Sequence, residues 1–292
     1  MLKQIHIIFY LKLAAVVVFV GRGYQYLFFG APFRSLLWDE SLLQPIVDTF
    51  FNSSWNEYAT SIKVDKWISF SIMINGIVLF LGALASVFIK ESNRKFLKFP
   101  ILLGGISLGF LAFLTMKENS YQVAQFFELS IQIGVPFLLL YVTRPNMSFQ
   151  FFMIVLKLLV SLTFIAHGLY AIGYYEIPGH FIDMTINSFG ITENRAVLIM
   201  KIAGTLDFLV AILIFIPKVS KYALIYAVIW GTLTALARFV AAYNPQFIAA
   251  SFHQTVYLVC YRLSHGIIPL LILVIQKKQA QKERRNLKLN FL

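Results

Sequence analysis

Eight long apolar stretches, each able to cross about 30 Å of hydrocarbon as a helix, constrain this chain more than any other feature. They run over residues 7–29, 67–89, 99–116, 122–142, 151–174, 196–216, 222–243 and 255–275. Continuous runs without period-two alternation point to helices rather than to a barrel. The expected fold class is therefore all-α, a polytopic integral membrane protein of about eight transmembrane helices. With 59% hydrophobic and 13% charged residues and a mean hydropathy of +0.75, the chain carries more apolar surface than a soluble core of this size can hide.

The net charge of +12 would point to nucleic acid in a soluble protein. Here the basic residues cluster between the apolar runs, which the positive-inside rule explains without such a partner. One side collects Lys3, Lys90, Arg94, Lys95, Lys98, Arg144, Lys218, Lys221 and the tail from Lys277 to Lys288. The other holds Arg34, Lys63, Lys66, Lys117 and Arg195. Both termini are thus expected in the cytoplasm and the body in the cell membrane. Lys12 and Arg22 interrupt the first run and no small-residue cleavage site follows it, so it reads as an uncleaved span. The single cysteine, Cys260, excludes an internal disulfide, a CxxC redox pair and a cysteine-built zinc site.

The two longest loops, 30–66 and 175–195, then face outward. The first carries Trp38, Asp39, Glu40, Trp55 and Glu57, with Ser54 to Glu57 spaced as a capping box. It suits amphipathic helices lying in the interface, with a binding lid as the sharper alternative.

The chain also repeats itself. KLAAVVVFVGRGYQY from Lys12 aligns without gaps with KLLVSLTFIAHGLYA from Lys157, placing Arg22 on His167. GIVLFLGAL from Gly76 aligns with GTLDFLVAI from Gly204, and QIGVPFLLL from Gln132 with HGIIPLLIL from His265. Three blocks in one order imply duplication. Four spans per copy give the copies the same orientation, a parallel repeat. The expected organisation is a first four-helix repeat over 1–146 with its outer loop 30–66, a second over 147–277, and a basic cytoplasmic tail over 278–292.

In the second copy the residues Lys157, Ala166-His167-Gly168, Ile177-Pro178-Gly179-His180-Phe181, Phe189-Gly190-Ile191 and Gly204-Thr205-Leu206-Asp207 resemble the DoxX-like family of small four-helix membrane proteins. The first copy resembles it faintly, so the chain looks like a tandem, diverged DoxX-like protein. It departs from the family pattern in having Asp207 where a Glu is usual, Val210 and Ile212 where small residues follow, and no acid in the first copy. The resemblance implies an accessory or subunit role beside membrane redox or quinone chemistry, and no defined reaction.

An ion at mid-membrane costs on the order of 3 kcal/mol on insertion scales, so each should face the bundle and find a partner. Lys12, Lys157 and Lys201 lie near span ends, where they can snorkel. Arg22, Glu128, His167, Asp207, Arg238, Arg262 and His265 form a deeper polar layer. Tyr121, Gln125, Glu128 and Gln132 share an arc of the fourth helix, and Gln254, Tyr261, Arg262 and His265 an arc of the eighth. Arg238 shares a face with Ala227, Gly231, Thr234 and Ala241, small residues that mark helix contacts in lipid.

Arg22 and Glu128 are expected to form a buried pair in the first copy. In the second, Asp207 faces two arginines, and the charge left over suits an anion, a phosphate headgroup or a quinone carbonyl. The expected ligand-binding set is His167, Asp207, Arg238, Arg262 and His265; a purely structural network of the same groups is the competing reading. Haem is disfavoured, because aligned Arg22 and Gln132 show that the two histidine positions need only polarity. No metal site is expected. Phosphate-loop, dinucleotide, zincin and hydrolase motifs are absent.

The expected function is a membrane-embedded binding or accessory subunit, with a membrane redox protein and a lipophilic or anionic molecule as partners, and without catalysis by this chain alone. The alternative is a small-solute or anion transporter or channel built on the two repeats. Against it, Pro136 and Pro269 lie toward the inner span ends, leaving no Gly- or Pro-broken pair of helices at mid-span. A lipid-modifying enzyme acting through His167, Asp207 and the loop acids is a third, remote option.

Overall fold

The computed structural model describes residues 2–51 and 53–289, and the side chains of Lys3, Arg284, Arg285 and Lys288 in the expected basic clusters lie outside what it describes. In chain order the elements are α1 (Leu2–Phe28), α2 (Arg34–Leu37), α3 (Glu40–Ile46) with a π turn over Val47–Phe51, α4 (Trp55–Thr60), α5 (Ile62–Phe88) and α6 (Arg94–Glu118). There follow α7 (Val123–Glu128), α8 (Ser130–Val142), α9 (Phe149–Ala171), α10 (Gly179–Phe189), α11 (Glu193–Leu213), α12 (Ser220–Ala242), α13 (Ile248–Arg262) and α14 (Ser264–Leu289). The described residues contain helices and no strand.

Among the described residues, seven helices are long and apolar enough to cross a membrane: His6–Phe28 of α1, then α5, α6, α9, α11, α12, and Ile248–Lys282 running through α13 into α14. The chain is thus a polytopic all-α integral membrane protein. The stretch 122–142, expected as one further span, is divided at Leu129 (φ −86°, ψ 3°) into α7 and the 13-residue α8. Leu129 N–H tightens onto Phe126 O at 3.2 Å, and the amide that the break frees, Ile131 N–H, donates 3.3 Å to Thr163 Oγ1 on α9. Tyr121, expected on the polar arc of this helix, precedes it in the left-handed region (φ 58°). Gln125 and Glu128 therefore lie on α7 and Gln132 on α8, and the single polar stripe does not form.

The last span is interrupted more gently at Leu263, where Ser264 Oγ donates 2.8 Å to Tyr261 O. Under the alignment of Gln132 with His265, the two interruptions fall one residue apart. Neither Gly nor Pro stands at these breaks; Leu129 and Leu263 do, beside buried polar side chains, so the interruptions are of a kind that a search for Gly- or Pro-broken helices does not register.

α1, α5, α6 and α8 enclose one part of the core, and α9, α11, α12 and α14 enclose another. Between the groups, α1 lies against α13 and α14, and α9 against α7 and α8. Glycines permit close crossings within each group. A Cβ at Gly23 would stand 2.9 Å from the Phe80 ring and 3.2 Å from Gly76 O; one at Gly168 would stand 3.0 Å from Phe208 and 3.1 Å from Gly204 O. Gly104 and Gly105 serve helix packing, against Phe19 and Phe137, whereas Gly109 on the same helix has nothing within 4 Å of where a Cβ would stand.

On α5, Ile68, Ile72, Leu79 and Ala83 are buried while Phe70, Ile74, Ile77, Leu81, Leu84 and Phe88 are exposed. Such a stripe would be a liability in water; in a bilayer it is the solvent-facing side. Lys12 snorkels as expected, its Nζ capping Val87 O at 2.8 Å.

Loop 30–66 folds into the short helices α2, α3 and α4, a π turn and the first turn of α5. Its capping box forms, Glu57 N–H donating 3.3 Å to Ser54 Oγ and Ser54 N–H 3.0 Å to Glu57 Oε2. Arg34 bridges Asp65 at 2.5 Å, and Asp39 pairs with Lys117 at the end of α6. The Lys117 ammonium and then the Ser41 hydroxyl hold the Asp39 carboxyl down at about 2.

Candidate functional site

A polar layer crosses the apolar body where the two groups of helices meet. Arg22 on α1 does not pair with Glu128. Its Nε donates 2.8 Å to Gln132 Oε1, Nη1 donates 2.7 Å to Gln25 Oε1, and the guanidinium stacks 3.6 Å above the Tyr261 ring. Glu128 instead accepts 2.7 Å from Arg262 Nη2 of α13. The reason is architectural: α1 lies against α13, so Tyr261 covers Arg22, and Arg262 reaches the acid from the other group of helices. The expected pairing within the first copy is corrected to a pairing between the halves, and Arg22 is left with neutral partners.

The charge balance of the second half changes accordingly. Arg262 is answered by Glu128 and no longer competes for Asp207. Among the described residues, Arg238 Nη1 donates to Thr234 O of its own helix and meets no acid. Asp207 is 3% exposed, and its Oδ1 has no hydrogen-bond partner among them.

Between α9, α11, α12 and the α13–α14 junction lies a cavity of about 490 Å³, within the range of small-molecule sites. Its walls are largely apolar, with Phe164, Met200, Trp230 and Leu233 among them. His167, Asp207, Arg238, Arg262 and His265 all line it. The structure thus brings together all five residues singled out on sequence as a ligand-binding set. His167 and His265 meet edge to face, ring centroids 5.4 Å apart at 66°, which leaves no room between them for a haem macrocycle. Among the described residues, no group of three or more His, Cys, Asp or Glu comes together to hold a metal ion.

The sequence reading missed the roof. The loop 175–195 contains α10, begun after Pro178 and ended by Gly190 in the left-handed region (φ 64°), the usual glycine stop. Phe181, Met184, Thr185 and Ser188 of α10 face the cavity. Their spacing of three, four and seven residues is one helical face, a signal hidden in a stretch between two spans and too short to be one. Phe181 packs in a small cluster with Ala124, Ala166, Tyr170 and Met200, separate from the main core.

Six buried side-chain polar atoms lack a partner among the described residues, and four of them are on residues that line this cavity: Ser188 Oγ, Asp207 Oδ1, Arg262 Nε and His265 Nε2. Each such group carries a desolvation cost of about 1–3 kcal/mol when nothing answers it. The residues that carry them surround one largely apolar chamber. Comparison with models of protein families, with curated proteins and with solved structures gave no match.

Proposed function

We propose that this chain is a membrane-embedded binding protein whose cavity between α9, α11, α12 and α14 holds a lipophilic or anionic small molecule. The observation that carries the reading is a largely apolar chamber of about 490 Å³ lined by five ionisable side chains, of which Asp207 and Arg238 form no ion pair among the described residues. A network that served only to fix the bundle would satisfy its own groups, as the Glu128–Arg262 and Arg22–Gln132 contacts do.

The proposal includes an architecture of eight helices in two parallel four-helix repeats, with α7 and α8 together as the fourth span of the first. In support, Gly23, Gly76 and Phe80 occupy the same relation as Gly168, Gly204 and Phe208, and each opening helix leans on the closing helix of the other half. At one corresponding position the halves differ: Phe19 packs onto Gly82 and Gly104, whereas its counterpart Phe164 lines the chamber. In this reading both termini are cytoplasmic, the membrane is the cell membrane, and the cavity lies toward its outer half. The resemblance to DoxX-like proteins adds a role as accessory to a membrane redox protein, with a quinone as a candidate guest.

A second reading, transport of a small solute or anion, is favoured by one observation: the corresponding helices α7–α8 and α13–α14 are interrupted at nearly the same position beside buried charge. One experiment separates the two. Purified protein melted with decylubiquinone or with a carboxylate amphiphile is expected to gain stability with one of these probes, by about 2.7 kcal/mol at a hundred times its Kd. Asp207→Ala is expected to lose that gain while staying folded. Equal stabilisation of the variant overturns the assignment, and net flux of the probe into proteoliposomes, lost in Arg22 and Arg238 variants, carries the transport reading instead.

A further inference from the structure

The cavity has an orientation of its own that says how a guest enters and which end goes first. α11 and α12 are joined at one end by the short turn 214–219, while toward their other ends the cavity and α10 stand between them. Leu233, Leu236 and Val240 of α12 line the chamber and are also 53%, 45% and 57% exposed, as is Phe189 of α10 at 66%. The same stripe is thus cavity wall and outer, lipid-facing surface. The chamber therefore opens sideways, through an apolar seam between α11 and α12, beneath the roof helix.

The polar groups are gathered at the opposite, inner end. His265 is 3% exposed, and Arg262 has a side-chain exposure of 12%. Arg262 already bonds Glu128 through Nη2, and among the described residues Arg238 has only its own helix's carbonyl and no acid. A guanidinium without a counter-charge in this setting favours an anion. A freely soluble anion would have to cross a mouth of Leu, Val and Phe to arrive; an amphiphile already in the bilayer would not.

We infer that the site, on the binding reading above, takes an amphiphile with an anionic head directly from the bilayer. The guest slides through the α11–α12 seam, its carboxylate or phosphate head reaches Arg238 with Arg262 beside it, and its tail stays in the seam. α10 closes the chamber from above through Phe181, Met184, Thr185 and Ser188. Its anchorage in a small cluster apart from the main core makes it an element able to yield at low cost.

Trp230 lines the chamber and supplies the probe. The full chain is reconstituted in nanodiscs with its other tryptophans, Trp38, Trp55 and Trp67, replaced by Phe. A brominated fatty acid, a brominated phosphatidic acid and a brominated alkyl glucoside are titrated in turn, with short-chain butyrate as competitor. A second variant keeps only Trp67, which is 57% exposed on α5, as a reporter of bulk lipid.

The expected result is saturable quenching of Trp230 by at least one anionic probe at about tenfold lower concentration than by the glucoside, the stronger of the two naming carboxylate or phosphate. Quenching of Trp67 should be linear and independent of the head. Arg238→Gln should remove the tenfold preference, and Ala237→Phe, which narrows the chamber without touching charge, should weaken all probes together. Equal saturable quenching by charged and neutral heads, or full protection by butyrate, overturns this inference while leaving the binding reading standing. Trp230 quenching as linear as that of Trp67 with every probe overturns both.

Discussion

Glu128→Leu is expected to destabilise the folded protein by about 3–5 kcal/mol, the cost of leaving one partner of a buried ion pair uncompensated. Arg262 has a side-chain exposure of 12% and Glu128 of 10%, and the pair joins α7 to α13 across the two groups of helices. With the acid gone, the Arg262 guanidinium keeps its burial and loses the hydrogen bond it gives Glu128 at 2.7 Å. Because the penalty belongs to the stranded charge, the double variant Glu128→Leu, Arg262→Met should recover most of the loss, as apolar replacements of whole buried pairs commonly do. Gln132→Leu, which removes one of two side-chain acceptors around Arg22, should cost clearly less than Glu128→Leu. Unfolding titrations with SDS in mixed micelles measure all three. A Glu128→Leu protein no less stable than Gln132→Leu would mean that Arg262 finds another partner and that the pairing between the halves is incidental.

Gly231→Ala should also be severe, for a different reason. A Cβ at Gly231 would stand 2.6 Å from His265 O, 2.7 Å from its carbonyl carbon and 3.0 Å from Gly266 N, all backbone atoms that cannot rotate away. The approach is this close because Pro269 has no N–H to offer His265 O within α14, and α12 passes over that carbonyl with only a glycine between. Adding one methyl therefore forces α12 and α14 apart, at about 1–3 kcal/mol or more. The same shift displaces His265 and alters the shape of the chamber, so guest binding should fall together with stability. Gly109→Ala is the control: nothing lies within 4 Å of its added Cβ, and a helical Gly→Ala exchange gains about 0.5–1 kcal/mol. Melting temperatures of the two variants in one detergent decide the matter; equal values would refute the tight α12–α14 crossing.

What was legible in the sequence follows from what lipid demands of a chain. A helix in hydrocarbon has to be long and apolar over its whole length, so the spans can be read without a structure. A charge in such a helix has to turn inward, which singles out His167, Asp207, Arg238, Arg262 and His265, the residues that share one chamber. The partner of each charge was not legible. Helical arcs locate a residue around its own axis and say nothing of which other helix lies opposite, so Arg22 and Glu128 looked mutual when the acid belongs to Arg262. The division at Leu129 was hidden because neither Gly nor Pro marks it; it rests on Thr163 taking the freed Ile131 amide from another helix. α10 was hidden because its apolar face is too short to register as a span, yet it roofs the candidate site.

Native mass spectrometry of the protein released from membranes in mild detergent tests the central claim most directly. The expected spectrum carries an added mass of one small amphiphile, held by the native chain and lost in Arg238→Gln. Spectra of the bare chain alone across detergents, or an adduct retained undiminished by Arg238→Gln and by Asp207→Ala, would contradict a binding site in this chamber.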